Sequence, residues 1–573
     1  MGSIAPRLVP PPPVRRMGVP AADPLLEGLE DNTSVLRIPF EKDLKPGPVG
    51  DRVRVIDYDP RAGLYYEPVN LDDPSLLAQE GLAPSESDPR FHQQMVYAVV
   101  METLERFEVA LGRRAYFGGP NNRRSIEVFP HGARDANAWY DPQRGHLVFG
   151  SFRADRKSAG RNLPGAWVHT CLSHDVVAHE ATHALLHGLR PRSLEPTGPD
   201  ALAFHEAFAD LVALLQRFRL PGVVEQAIRR SARLDEVAPL FQIGRQFGEA
   251  LGMRAALRTA IGSPCEPQKL ARTHECHDRG AILLAAVFDA FGTIYRHRTR
   301  DLLRIASNGT GVLPAGELAP DLVGRLAEQA RKSASHLLTM SIRAVDYCPP
   351  LDIGFGDFLR ALITADLDLV PDDTRDYRGA LIAAFRDRGI YPTGVSCLSE
   401  DALRWPAMDG AADITGIDFD KMLFDRPPRE APDADRKREY WREVEKLVRR
   451  NAKLFGFDEK RAGEIETRSV QPAWRMLPTG RVRHDLVVQA YQPGGCIEVM
   501  KKKLEFEGAC TVVIGGDEGP GVRYAISRST LDAERKARQA EYAADLLAGA
   551  PPSARELPWA ALGLKHVHAG WWS

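Results

Sequence analysis

The sequence predicts an α+β fold: a small mixed α/β lobe, then a mostly helical lobe, then a separate small α/β domain. Three observations carry this. Apolar residues recur at helical spacing over long stretches, beginning with Val100, Leu104, Phe107 and Leu111. Short alternating segments follow at residues 125–150. Beyond residue 395 the pattern changes to a Pro- and Asp-rich stretch, one charged helix and further alternation.

Composition bounds the classes. With 573 residues, 44% hydrophobic and 27% charged, the chain reads as globular, neither fibrous nor wholly disordered. Its 75 basic and 77 acidic residues leave a net charge of −2, so no global field draws in nucleic acid or an anionic membrane, and neither is expected as a partner. The basic stretches Lys501 to Lys503 and Lys446, Arg449 and Arg450 read as solvated faces. The seven cysteines are odd in number, scattered and without a CxxC pair, which argues against a disulfide framework and for a reducing, cytoplasmic compartment. Prolines interrupt any secretory h-region, and no run approaches the roughly 20 apolar residues needed to span a bilayer. Pro6 stands where a myristoylation signal needs Ser or Thr.

Along the chain, residues 1–85 are expected to be a Pro-rich, partly ordered extension without function, with strand-like pieces at Arg52 to Tyr58 and Gly63 to Tyr66. Residues 86–395 form the main domain, with the α/β lobe over 86–190 and the helical lobe over 191–395. Its first helix runs from Asp88 to Leu111 and stops at Gly112. Strands are expected at Ser125 to Phe129, Asn137 to Tyr140 and His146 to Gly150. Helices are expected at Val176 to Leu186, closed by Gly188, at Ala203 to Phe218, from Gly280 onward, at Leu322 to Ile342 and over Phe355 to Phe385. A linker over 396–440, Pro- and Asp-rich at Arg426 to Asp435, leads to a charged helix at Lys437 to Asn451. The small α/β domain, 441–573, then holds strands at Val482 to Ala490, Ala509 to Ile514 and Val522 to Ser527, the last two forming a hairpin through a Gly-rich loop.

The chemistry concentrates at His179-Glu180-Ala181-Thr182-His183, an HExxH motif. On a helix, imidazoles four residues apart share one face and reach one zinc ion, with Glu180 beside it. A catalytic zinc site keeps one of four positions for water, so a third protein ligand must come from elsewhere. Glu206 lies 23 positions past His183 in an apolar helix, where an unpaired carboxylate is costly to bury, and coordination explains it. Asp210, one turn on, is placed to accept a hydrogen bond from the free ring nitrogen of a zinc histidine.

The segment Asp175 to Ala184 together with Glu206 to Asp210 resembles the thermolysin family of gluzincin metallopeptidases. The resemblance covers residues 88–300 or so, and implies a two-lobed zincin catalytic domain with one zinc ion on His179, His183 and Glu206 and with Glu180 as general base. Asn137-Ala138-Trp139-Tyr140 resembles the family's edge strand, in which the asparagine side chain and following backbone grip an extended peptide. Cys276 to Ile282 resembles the segment whose histidine faces the oxyanion, which makes His277 the candidate for that role. There are departures. No tyrosine lies between His183 and Glu206 to assist the oxyanion, with His187 a weak substitute. Arg217 stands where secreted relatives carry an acidic calcium ligand, so no structural calcium is expected, and His205 precedes the glutamate where asparagine is frequent. A second metal site on His274 with Cys276 or Cys265 lacks a CxxC anchor.

The expected function is a zinc-dependent endopeptidase acting on peptide or protein substrates through a metal-activated water. The alternative keeps the metal without the chemistry, as a zinc-stabilised module that holds an extended chain through Asn137 and Ala138. A further alternative makes the C-terminal domain a docking unit for a protein partner.

Overall fold

The computed structural model describes residues 12–20, 33–60, 62–119, 123–160, 162–220, 222–230, 242–243, 258–259, 265–313, 317–408, 410–417, 434–516, 521–549 and 559. The first eleven residues of the Pro-rich run, residues 418–433 of the expected linker and residues 517–520 of the hairpin loop lie outside the described residues.

Strands β1 (Val14–Pro20) and β2 (Thr33–Pro39) pair antiparallel. Their alternation buries Met17, Val19, Leu36 and Ile38 in the main core, so this part of the N-terminal segment is structural. β3 (Val53–Val55) follows. Helix α1 (Pro89–Leu111) starts as its sequence dictates: the Asp88 side chain accepts from Arg90 N–H and Pro89 occupies the first turn. It ends at Gly112, left-handed at φ 66°, whose N–H bonds the Glu108 carbonyl. Residues Phe91 to Leu104 are buried all round, which marks α1 as the central helix of the core.

Strands β4 (Ile126–Ala133), β5 (Ala138–Asp141), β6 (His146–Arg153) and β7 (Trp167–His169) complete a five-stranded sheet with β3. Its order is β3-β4-β6-β5, with β7 paired to β6. β3, β4 and β6 run parallel; β5 is antiparallel to β6 and forms the sheet edge.

Helices α2 (His174–Leu189) and α3 (Pro199–Arg217) pack together, followed by α4 (Cys276–Ala306), α5 (Pro320–Ala344), α6 (Phe355–Leu367) and α7 (Tyr377–Asp387). Two glycines differ from their expected roles. Gly188 lies inside α2, where a Cβ would stand 2.0 Å from the Tyr116 carbonyl oxygen. Gly280 lies one turn into α4, where a Cβ would stand 2.9 Å from the Ala203 carbonyl oxygen of α3. Both permit close backbone approach rather than marking helix ends. The helical stretch expected over Phe355 to Phe385 is two helices, parted between Leu367 and Tyr377 by a segment that contains Pro371. Arg217 has a structural partner: its Nε donates to Asp175 Oδ1 at 3.0 Å, joining the end of α3 to the start of α2.

Helix α8 (Ala434–Arg450) precedes an antiparallel sheet of β8 (Glu466–Met476), β9 (Val482–Val499), β10 (Lys502–Gly515) and β11 (Gly521–Arg528), in that order, and helix α9 (Ala533–Gly549) follows. Val513, Tyr524 and Ile526 of this sheet join the main core. A buried ion network crosses the same contact. Asp346 accepts from both terminal nitrogens of Arg113, at 2.6 and 2.7 Å, and from Arg475 at 2.8 Å. Arg475 also reaches Asp485 at 3.1 Å, and Arg483 bridges Asp485 to Asp368. Among the described residues no helix is long and apolar enough to cross a membrane.

Candidate metal centre

The HExxH segment is helical within α2 and almost wholly buried. Its spacing of four places His179 and His183 on one face with their Nε2 atoms 2.8 Å apart. Glu206 enters from α3: Oε1 stands 3.2 Å from His183 Nε2 and Oε2 stands 3.5 Å from His179 Nε2. All three residues are 2% exposed or less. Ligands about 2.0–2.2 Å from one tetrahedral ion stand roughly 3.4 Å from each other, and these separations bracket that value. Two imidazoles and a carboxylate are also a donor set that suits zinc, so the residues fit the ion that the sequence implies.

The outer ring nitrogens are held from behind. His179 Nδ1 lies 2.8 Å from Asp210 Oδ1, the carboxylate expected there. His183 Nδ1 lies 2.6 Å from Nδ1 of His205, and the two rings stack at 4.7 Å and 22°. Burial and the neighbouring His183 hold His205 well below the usual histidine range, so it is neutral. A neutral His205 can accept through Nδ1, which puts the proton of His183 on its outer nitrogen and leaves its Nε2 lone pair facing Glu206. The only sign of this contact in the sequence is the place of His205 immediately before the glutamate.

Burial opposes ionisation of Glu206, but the imidazoles of His183, His277 and His179 outweigh it and hold the carboxyl well below its usual range. Glu180, 1% exposed, follows His179 on α2. His277, in the first turn of α4, brings Nε2 to 3.4 Å from Glu206 Oε2. Its Nδ1 is 2.9 Å from Glu275 Oε1, and the other Glu275 oxygen caps α4 by accepting from Asp278 N–H. Burial works against charge on His277, yet Glu206, Cys276 and Glu275 together push it up to about 12. Glu275 was not singled out in the sequence; its place as an acidic N-cap two residues before His277 was the available clue.

Asn137 and Ala138 lie at the start of edge strand β5, which packs against α2. The Asn137 side chain is turned onto its own chain, with Oδ1 accepting from Ala138 N–H at 2.8 Å. His187 is engaged with the Tyr140 hydroxyl, at 2.9 Å from Nδ1, and burial pushes it down to about 4. Cys265 donates to the Asp387 carbonyl oxygen and does not join Cys276 in a metal-binding group.

No family model matches the sequence, and no curated protein matches it. Twelve solved chains match in structure. One is the precursor of protealysin, a metalloproteinase from Serratia proteamaculans, with 15% sequence identity and a TM-score of 0.35 over 59% of this chain and 87% of that chain.

Proposed function

We propose that the protein is a zinc-dependent endopeptidase with His179, His183 and Glu206 as metal ligands and Glu180 as general base. The observation that carries this reading is the convergence of two histidine Nε2 atoms and one carboxylate in a buried site, 2.8 to 3.5 Å apart, with Glu180 next to the first ligand in the chain. When bound, a zinc ion supplies Lewis acidity: it polarises a carbonyl oxygen and lowers the pKa of water toward about 7.

The chain's own groups do the rest. Glu180 takes a proton from the attacking water and returns it to the leaving amine nitrogen. His277 donates from Nε2 to the developing oxyanion, in the absence of a tyrosine between His183 and Glu206, and Glu275 fixes its ring. Asp210 and His205 hold the ligand rings in orientation and tautomer. Among the described residues β5 is an edge strand, and its backbone groups offer pairing for an extended peptide, with Asn137 and Ala138 at its start.

The test is cleavage of a random peptide pool by the full chain. Turnover is expected to vanish with a zinc chelator and return with added zinc; cleavage that survives complete metal removal excludes the mechanism. Binding without cleavage supports the peptide-holding module instead. Replacing Asp210 with Asn is expected to weaken metal affinity by about 10–100-fold. Competition against a chromogenic chelator measures this, and unchanged affinity removes Asp210 from the role.

A further inference from the structure

A second buried group of metal-binding side chains lies apart in sequence from the first ligand set. His92 of α1, His131 of β4 and Cys171, in the turn between β7 and α2, bring three ligand atoms within 4.8 Å of one another. All three residues are buried, and Cys171 is a free thiol. His92 Nδ1 and His131 Nε2 face each other at 2.8 Å.

The outer nitrogen of His131 settles its tautomer. Nδ1 is 2.6 Å from Asp57 Oδ1, and Asp57 Oδ2 in turn accepts from Gln93 Nε2 at 2.9 Å. A carboxylate so anchored accepts a hydrogen bond from Nδ1–H, and in that tautomer the lone pair of His131 Nε2 is directed at His92. The first centre has the same construction: two imidazole nitrogens meet at 2.8 Å while a buried aspartate holds one ring from behind. The ring of His169 lies 4.8 Å from that of His92 and 5.3 Å from that of His131. Its Nδ1 is 2.8 Å from Ser151 Oγ. A single N–H···N hydrogen bond between two neutral imidazoles accounts for the facing pair, but not for a thiol and a third imidazole gathered around it.

We propose that His92, His131 and Cys171 bind a second divalent ion of the zinc class. Two imidazoles and a thiolate are donors that suit zinc, and the burial of all three residues fits an ion that braces the fold. The ion would join α1, β4 and the turn that leads into α2, with Asp57 adding the segment after β3. It therefore braces the start of the helix that carries His179 and His183. Because its ligands come one each from three elements, no local spacing in the sequence announces it, and the one ion expected from the sequence becomes two.

The test uses full-length protein produced in cobalt-supplemented medium, because a thiolate ligand gives a near-ultraviolet charge-transfer band that a site of two histidines and a glutamate cannot give. Two cobalt ions per chain and that band are expected. Cys171→Ser should abolish the band and lower the metal content by one equivalent, and His131→Gln should lower it likewise. Glu206→Gln should leave the band intact, so the result stands or falls independently of peptide cleavage. If Cys171→Ser does not fold, the wild-type band and stoichiometry still decide. One ion per chain with no charge-transfer band, or a band that survives Cys171→Ser, overturns the proposal.

Discussion

Glu180→Gln is expected to reduce kcat for peptide cleavage by about 10²–10⁴-fold, the range that a positioned general base contributes, while the metal between His179, His183 and Glu206 stays bound. The substitution keeps size and polarity at a position only 1% exposed, so folding is not at issue. The amide cannot accept a proton from water, and that is the one function removed. Because Glu180 acts in the chemical step, kcat should fall with little change in KM. Steady-state kinetics together with metal analysis checks this, and full activity in the variant refutes the assignment of Glu180.

The second large effect is on stability. Asp346 is fully buried and carries two arginines, Arg113 and Arg475. Asp346→Ala leaves Arg113 buried without its carboxylate and takes one of two from Arg475, which keeps Asp485, and is expected to destabilise the fold by about 3–5 kcal/mol, measured by urea unfolding. A loss below 1 kcal/mol would show that the network does not hold the C-terminal sheet to the helices. The same network sets an acid limit. Burial opposes ionisation of Asp346, but Arg113 and Arg475 outweigh it and keep its carboxyl below the usual range. Asp368 is likewise lowered against burial, by Arg523 and Arg483. A depressed folded pKa contributes stability that is complete above the unfolded value, about 3.9, and is lost as pH falls through the folded value. The wild-type Tm should therefore drop steeply below about pH 4, and Asp346→Ala should flatten that drop.

The parts of this molecule that were legible in the sequence are those with local rules. Asp88, Pro89 and Gly112 bound α1 where capping chemistry says they should. The HExxH spacing placed two imidazoles on one face, and the separations around Glu206 and Asp210 agree with the geometry expected of them. What was misread depends on contacts distant in sequence. Gly188 and Gly280 look like helix punctuation, yet each lies within the end turn of its helix, where another backbone passes too close for a Cβ. β8 was missed because Pro472 interrupts its pattern, and the proline is tolerated because β8 is an edge strand. Met17, Val19, Leu36 and Ile38 belong to strands set among prolines and polar residues, and only their burial reveals them as core. His205, Glu275 and the His92–His131–Cys171 group carry no motif, since their meaning lies in what faces them across the fold.

The most direct measurement is X-ray diffraction at the zinc absorption edge from crystals of zinc-replete protein. An anomalous peak is expected between α2 and α3, bonded at about 2.0–2.2 Å to Nε2 of His179, Nε2 of His183 and a carboxylate oxygen of Glu206. No peak at that position, with the three side chains turned to separate neighbours, would contradict the metal centre and the hydrolytic function built on it.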